Sequence, residues 1–478
     1  MRHDYIVIGS GAGGAAAAWR LARTGRRVLI LEKGGKLPTD GSTLDADRVI
    51  RQTAFASKEV WLTPGGRELT LKEYFNVGGK TKWSGAALVR FQRHEFDADP
   101  DYRCRAWPIC YDELEGYYAE AESLLGARSF EIEPALRRIL DGLRQLDRAW
   151  QQHPLPLGLA PEIVNYPEEA RRFDGGFASP RGLKSDAEVA LLDRLEGLSH
   201  VEIACDKEVV ALEPAPGNPR RIGAVVCADG SRYLATTVLL AAGALHSPRL
   251  LQRYVRRHRG PVISPSSEQI GRNYKRHLNS VVLAVGARPI TDLLRKTVVL
   301  FHPACPHSSV QTIGRMDGEV LRARVPGLVS QTLADAMGSR AYGFWLSTED
   351  GSATENRVID ADGAGYPTLD YDAARLPEAM AEHLRLRRMV RRQLLRLGFV
   401  ALVRSNSIRN NAYACGTLVT GDDPATSVVA GDGRVHTLDN LYVSDASALP
   451  RSGRVNPGLT IYAWGLRVAD LLSRRAQG

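Results

Sequence analysis

The chain has 478 residues, 44% hydrophobic and 24% charged, with 63 basic and 54 acidic side chains and a formal net charge of +9. Length and composition describe a folded protein of two or three domains and exclude a disordered chain. No apolar run approaches the roughly 18 residues of a membrane-spanning helix and no signal-peptide pattern precedes the first strand, so a cytoplasmic protein with no membrane partner is expected.

Six scattered cysteines, Cys104, Cys110, Cys205, Cys227, Cys305 and Cys415, form no CxxC pair and no zinc spacing with histidine. They are expected as reduced thiols, with no metal centre. Arginine is spread along the whole length in no recognisable nucleic-acid-binding module, so no nucleic-acid partner is expected.

The first element is a strand, Tyr5 to Ile8, followed by Gly9-Ser-Gly11-Ala-Gly-Gly14 and an alanine-rich helix ending near Thr24-Gly25. A second strand, Arg27 to Leu31, delivers Glu32 eighteen residues after Gly14. Each glycine has a physical reason to be there. Gly9 permits a tight turn, Gly11 lets the backbone approach a pyrophosphate, and Gly14 lets helix and strand pack closely. The helix N-terminus then offers N–H groups and partial positive charge to that phosphate. Glu32 is suited to accept hydrogen bonds from ribose hydroxyls and disfavours a 2′-phosphate, which points to FAD or NAD rather than NADP.

A third strand, Val238 to Ala242, completes the pattern of a parallel, doubly wound sheet. Between about Ser280 and Val403 the pattern changes to shorter runs, such as Ser280 to Val285 and Arg340 to Leu346, which predict an inserted antiparallel sheet with one open face. The cluster Arg385, Arg387, Arg388, Arg391, Arg392 and Arg396, interleaved with Leu386, Met389, Val390, Leu394 and Leu395, predicts a surface helix with one buried stripe. The last element is a helix from Leu459 to Arg474, with Asn456 as its N-cap and Pro457 at its first position.

Three further motifs resemble the glucose/methanol/choline (GMC) family of flavin oxidoreductases: Val77-Gly-Gly-Lys-Thr-Lys-Trp-Ser-Gly85, Val238 through Leu251, and Asn440 through Thr460 with Asp445 and Asn456-Pro-Gly-Leu-Thr460. Their order and spacing match too. The resemblance implies an α/β fold: a doubly wound, Rossmann-like FAD-binding domain over residues 1–100, 180–278 and 405–478, with an inserted antiparallel-sheet substrate domain over 101–179 and 279–404. It implies that Gly9, Gly11, Gly14 and Glu32 hold the ADP half of FAD, and that Gly78, Gly79, Ser84 and Gly85 lie along pyrophosphate and flavin ring; no covalent attachment motif is seen, so a dissociable FAD is expected. By the same resemblance, backbone groups of Val209 contact adenine, Gly243 packs near the ADP portion, and Asp445 reaches the ribityl or pyrophosphate region. Ser247 and Pro248 are expected to shape a turn.

Asn456 and Pro457 would then stand where a helix N-terminus meets the N1/C2=O edge of the ring and stabilises the charge that forms there. In the family an Asn at this position also faces the substrate oxygen.

The family oxidises a CH–OH group, hydride passing to flavin N5 while a histidine in a His-x-x-Gly-Thr stretch takes the hydroxyl proton. Here that stretch is Tyr413-Ala-Cys-Gly416-Thr417, and no histidine lies between His383 and His436. With a reference pKa near 10, a tyrosine would need a depression of about three units, about 4 kcal/mol, to be a comparable base. Four readings stand. Tyr413 is a base or a donor that orients substrate; a histidine from elsewhere (His277, His302 or His307) reaches the flavin; the proton goes to water or another group; or alcohol oxidation has been lost.

The substrate expected is a small hydroxylated molecule, a sugar or specialised metabolite. The electron acceptor, whether oxygen, quinone or another carrier, is left open. The alternatives are redox-neutral or non-alcohol flavin chemistry on the same fold, and a catalytically lapsed flavin-binding partner protein.

Overall fold

The computed structural model describes residues 2–258, 262, 264–325, 327, 330–361, 363, 365–409 and 413–475. Its two principal sheets come from the two kinds of sequence pattern. The first has seven strands. Arg2–Ile8 runs parallel to Val28–Leu31 on one side and to Arg232–Leu240 on the other, and Val28–Leu31 is parallel to Val201–Ala204. Leu441–Val443 joins Arg232–Leu240 in parallel, while Asn218–Cys227 and Val209–Ala215 continue the sheet antiparallel. Ile6, Val7, Leu29, Ile30 and Val238 are buried to 1% or less, as strands covered on both faces require.

The helix Ala12–Ala22 covers one face, and its four consecutive alanines Ala15 to Ala18 are all fully buried. Small side chains let the C-terminal helix, Gly458–Arg475, cross it closely: a Cβ at Gly465 would fall 2.5 Å from the Gly13 carbonyl oxygen.

The second sheet is six-stranded and entirely antiparallel, in the order Val400–Ser405, Leu278–Val285, Ala341–Thr348, Cys305–Ile313, Val298–His302 and Gln151–Pro154. The helix Pro377–Arg396 lies on its outer face, where Leu386, Val390 and Leu394 pack with Val282, Val310, Phe344 and Leu346. This is the arginine-rich helix, with Arg385, Arg388, Arg391, Arg392 and Arg396 exposed and Arg387 half-buried. The inner face contributes Val281, Leu283, Ile313 and Trp345 to a separate apolar cluster that holds Trp83 and Tyr74. Among the described residues, no helix is long and apolar enough to cross a membrane. All six cysteines are free.

Candidate active site

The turns that follow four parallel strands of the first sheet meet at one edge. This is where the open crevice of a doubly wound sheet takes its ligand. Gly9, after the first strand, has φ +105°, and a Cβ there would lie 2.4 Å from the Ala241 carbonyl oxygen. Gly13 and Gly14 are packed as tightly, since a Cβ would fall 1.8 Å from Ser444 O and 2.0 Å from Gly9 O respectively. Gly11 differs, because nothing lies within 4 Å of the position its Cβ would take, and the same holds at Gly243. Three glycines thus seal the turn against protein, and two leave backbone open on the ligand side. That cradle fits a pyrophosphate approached through the main chain.

Glu32 is buried and held in place by Ser10, whose backbone N–H donates at 3.0 Å and whose hydroxyl donates at 2.5 Å, and by the Gly34 N–H at 3.0 Å. Ser10 Oγ also accepts from the Gly78 N–H at 3.0 Å, which ties the second glycine loop to the first. A Cβ at Gly79 would come within 3.2 Å of Gly11 Cα. Lys207 N–H donates to the Glu32 carbonyl at 2.8 Å, which brings the strand that begins at Val209 to the Glu32 end of the crevice.

Asp445 accepts from the Gly243 N–H at 2.8 Å, from the Ser247 hydroxyl at 2.5 Å and from the Ser447 N–H at 2.8 Å. Ser247 and Pro248 lie within the helix Gly243–Arg257 rather than in a turn, and the Ser247 hydroxyl is occupied there by Asp445 and by the Ala242 N–H at 3.1 Å.

Ser84 and Gly85 sit over charged groups that the motif alone does not reveal. Lys184 is fully buried and donates to the carbonyls of Ser84 at 2.7 Å, Phe173 at 3.2 Å and Phe177. Burial pushes its ammonium down to about 7. Asp174 pairs with Lys296 at 2.9 Å and accepts the Gly314 N–H at 2.9 Å; a Cβ at Gly85 would fall 2.1 Å from its Oδ1. Trp83 is stacked on Tyr74 with ring centroids 4.5 Å apart and donates to Asn76 at 2.9 Å, a packing role.

At the head of the C-terminal helix the expectation of an Asn456 cap is not met. Its side-chain N–H donates to the Tyr413 hydroxyl, and its side-chain oxygen accepts from the Gln311 amide. The amide oxygen and one of its two N–H groups are engaged across the chain, so the first turn after Pro457 keeps its N–H groups free of a side-chain cap from Asn456. Gln311 belongs to the antiparallel sheet, and two residues earlier on the same face Ser309 Oγ donates to the Arg454 carbonyl at 2.6 Å. The sheet is thereby clamped onto the segment that starts the helix.

Burial pushes the Tyr413 phenol up to about 12; the Asn456 amide acts in the opposite direction, and the Asp174 carboxylate adds to the rise. At neutral pH Tyr413 is a neutral phenol.

Of the three histidines weighed as substitutes, one reaches this group. The His277 ring lies 5.3 Å from the Tyr413 ring, centroid to centroid. His302 bonds Asp147 at 3.1 Å, and His307 is held between Asp99 at 3.0 Å and Glu349 at 3.5 Å. Cys104, His307 and Glu349 offer ligand atoms within 4.8 Å of one another, and Arg451 pairs with Glu349 at 2.6 Å. Cys415 is a fully buried thiol. Gln311, Asp174, Lys184 and Lys296 were missed in the sequence. The stretch Ser308-Ser-Val-Gln-Thr-Ile313 has no period-two alternation, so nothing local marked Gln311 as facing the site.

The comparisons agree with this architecture. Residues 4–312 match the family model described as FAD dependent oxidoreductase, and residues 360–465 match that of GMC oxidoreductase. The chain is 30% identical to a 6'''-hydroxyparomomycin C oxidase of Streptomyces lividus, over 98% of this chain and 91% of that protein. It is 29% identical to a paromamine 6'-oxidase of Streptomyces fradiae, over 98% and 92%, and 24% identical to the fructose dehydrogenase large subunit of Gluconobacter japonicus, over 98% and 97%. Among solved structures, pyridoxine 4-oxidase from Mesorbium loti shares the fold at TM-score 0.63 and 19% identity, covering 98% of each chain. A single-residue variant of formate oxidase from Aspergillus oryzae RIB40 does so at TM-score 0.68 and 15% identity, covering 100% of this chain and 99% of that one. The chain belongs to the GMC family of FAD-dependent oxidoreductases, enzymes of alcohol oxidation.

Proposed function

We propose that this enzyme oxidises a CH–OH group of a hydroxylated, amine-bearing sugar-like molecule to the carbonyl. The observation that carries the reading is the chain Gln311–Asn456–Tyr413 at the start of the C-terminal helix. FAD, when bound, supplies the acceptor for the hydride at N5. In this reading Gly9, Gly11, Gly14, Glu32 and Val209 hold its ADP half, with Gly243 and Asp445 beside them. Gly78, Gly79, Ser84 and Gly85 follow the pyrophosphate and ring, and Pro457 sets the helix start against the ring. The FAD-binding segments are 1–100, 180–278 and 405–478, and the substrate segments 101–179 and 279–404.

Tyr413 accepts the Asn456 amide, so its own proton is available to the substrate oxygen, and Asn456 keeps a second N–H to donate there as well. Two neutral donors aimed at one oxygen stabilise the negative charge that grows there as the C–H bond breaks. Gln311 fixes the Asn456 amide so that no reorientation is needed at that moment.

Two observations favour an amine-bearing substrate. The relatives in Streptomyces carry aminoglycosides in their names. An open cleft of about 1050 Å³ carries Asp40, Asp45, Asp47, Glu168, Glu169 and Glu319 against three arginines, and its Leu44 and Ala46 join the apolar cluster of Trp83. Tyr413 and Asn456 do not line that cleft, which supports a role in attracting a cationic substrate rather than in the chemistry.

The test is incubation of the FAD-loaded protein with paromamine, with methyl glucoside and with ethanol, read by mass spectrometry after hydrazine trapping. The hydrazone of a carbonyl two hydrogens lighter than the substrate, formed fastest from paromamine, is the expected result. No carbonyl product from any of the three would refute the proposal.

A further inference from the structure

We propose that His277 is the final acceptor of the proton that the substrate hydroxyl gives up, taken at Nδ1 behind Tyr413. The inference rests on the proposed alcohol oxidation at Asn456 and Tyr413, and adds to it the base that the neutral phenol leaves unassigned.

His277 immediately precedes the strand Leu278–Val285 and is 1% exposed. Its Nε2 lies 2.7 Å from the Gly453 carbonyl oxygen. A carbonyl only accepts, so Nε2 carries the hydrogen and the basic lone pair is on Nδ1. That atom is buried and has no hydrogen-bond partner among the described residues, which leaves its lone pair available and costs stability. Gly453 stands three residues before Asn456, so one short segment holds both the imidazole and the amide that bonds Tyr413.

The surroundings keep His277 neutral at rest and receptive afterwards. Burial lowers its pKa; the carbonyls of Gly453 and Ser452 and the Glu349 carboxylate favour the charged form, and Arg276 opposes it. Glu349 is itself paired with Arg451, and the phenol of Tyr413 is uncharged, so no full opposite charge is free to protonate the ring beforehand.

The step balances. The substrate C–H bond breaks and its hydride, two electrons and one proton, goes to the flavin. The O–H bond breaks and its proton ends on Nδ1, leaving C=O. No direct hydrogen bond joins Tyr413 and His277, and in the proposed step a water or the substrate hydroxyl carries the proton across the 5.3 Å between the ring centroids. The reduced holoenzyme therefore holds one proton more than the flavin alone accounts for.

The test needs no substrate. The midpoint potential of the FAD-loaded protein is measured by dye titration between about pH 6 and 8. A two-electron couple shifts by ~30 mV per tenfold change in proton concentration for each proton taken up. The wild type is expected to follow the two-proton slope of ~59 mV per pH unit. His277→Gln keeps an N–H where Nε2 donates to Gly453 but removes the basic nitrogen, and it is expected to fall to the one-proton slope. Equal slopes in the two proteins overturn the proposal.

Nitrogen NMR of the wild-type holoenzyme labelled at histidine gives an independent reading, should the variant not fold. One ring is expected to pass from the neutral Nε2–H form to the doubly protonated form on reduction; if none does, the proposal fails. A protein that takes up no flavin overturns both this inference and the reading of the site, whereas flavin uptake with equal slopes overturns this one alone.

Discussion

Asn456 donates its side-chain N–H to the Tyr413 hydroxyl and gives its side-chain oxygen to Gln311, rather than accepting from an N–H of the helix it precedes. Burial pushes the phenol up to about 12, so on the order of one molecule in 10⁵ carries a phenolate at pH 7. A Tyr413→Phe variant is expected to lose one neutral hydrogen bond to substrate, about 1.4 kcal/mol or tenfold in the rate of flavin reduction. Stopped-flow measurement across pH is expected to show the same profile shape as the wild type, because the phenol does not titrate in that range.

Under the proposed function, Asn456→Ala removes a donor from the substrate oxygen; it also leaves the buried Gln311 amide without its acceptor. The rate of flavin reduction is expected to fall about 10²-fold. Thermal stability is expected to drop by about 1–3 kcal/mol for the orphaned amide. Both are read on protein that keeps its flavin absorbance.

The glycines of the first turn separate packing from ligand binding. Gly13→Ala places a methyl 1.8 Å from Ser444 O and is expected to lower the melting temperature of the apoprotein markedly. Gly11→Ala meets no protein atom within 4 Å, so the apoprotein is expected to melt as the wild type does while FAD affinity falls at least tenfold. Calorimetry and FAD titration on the two variants check this.

Strand, Gly9 to Gly14, helix and Glu32 were legible because their spacing is local and each glycine has a steric duty near itself in the chain. Tyr413 could be located by its Gly-Thr neighbours, and the Asn456-Pro457 pair by the helix that follows. What Asn456 does was not legible. A cap is the local solution for an Asn before a helix, and only the long-range approach of Gln311, 145 residues away in sequence, reveals that the amide is used elsewhere. Lys184 and Lys296 were invisible for a related reason: a lysine reads as surface until the fold surrounds it with carbonyls or a carboxylate. His277 was one of three candidates, and the fold alone separates it from His302 and His307.

The segment carrying Asn456 is anchored by Glu349, which accepts from Arg451 at 2.6 and 3.0 Å and from the Gly453 N–H at 3.1 Å. Burial alone would raise the Glu349 carboxyl; Arg451 and His307 reverse that and hold it well below its ordinary 4.5. A carboxyl with a depressed folded pKa contributes stability that is present above its unfolded value and lost as pH falls below about 4.5. Glu349→Gln is expected to cost about 3–5 kcal/mol at pH 7 by leaving Arg451 buried and unpaired. Its denaturation midpoint is expected to vary less than the wild type's as the pH is taken from 5 to 3.

Anaerobic mixing of the FAD-loaded protein with paromamine tests the central claim most directly. Bleaching of the visible flavin band, with one carbonyl formed per flavin reduced, is the outcome expected of an alcohol oxidoreductase built on Asn456 and Tyr413. A flavin that stays oxidised with paromamine and with a broad panel of sugars and simple alcohols would contradict it.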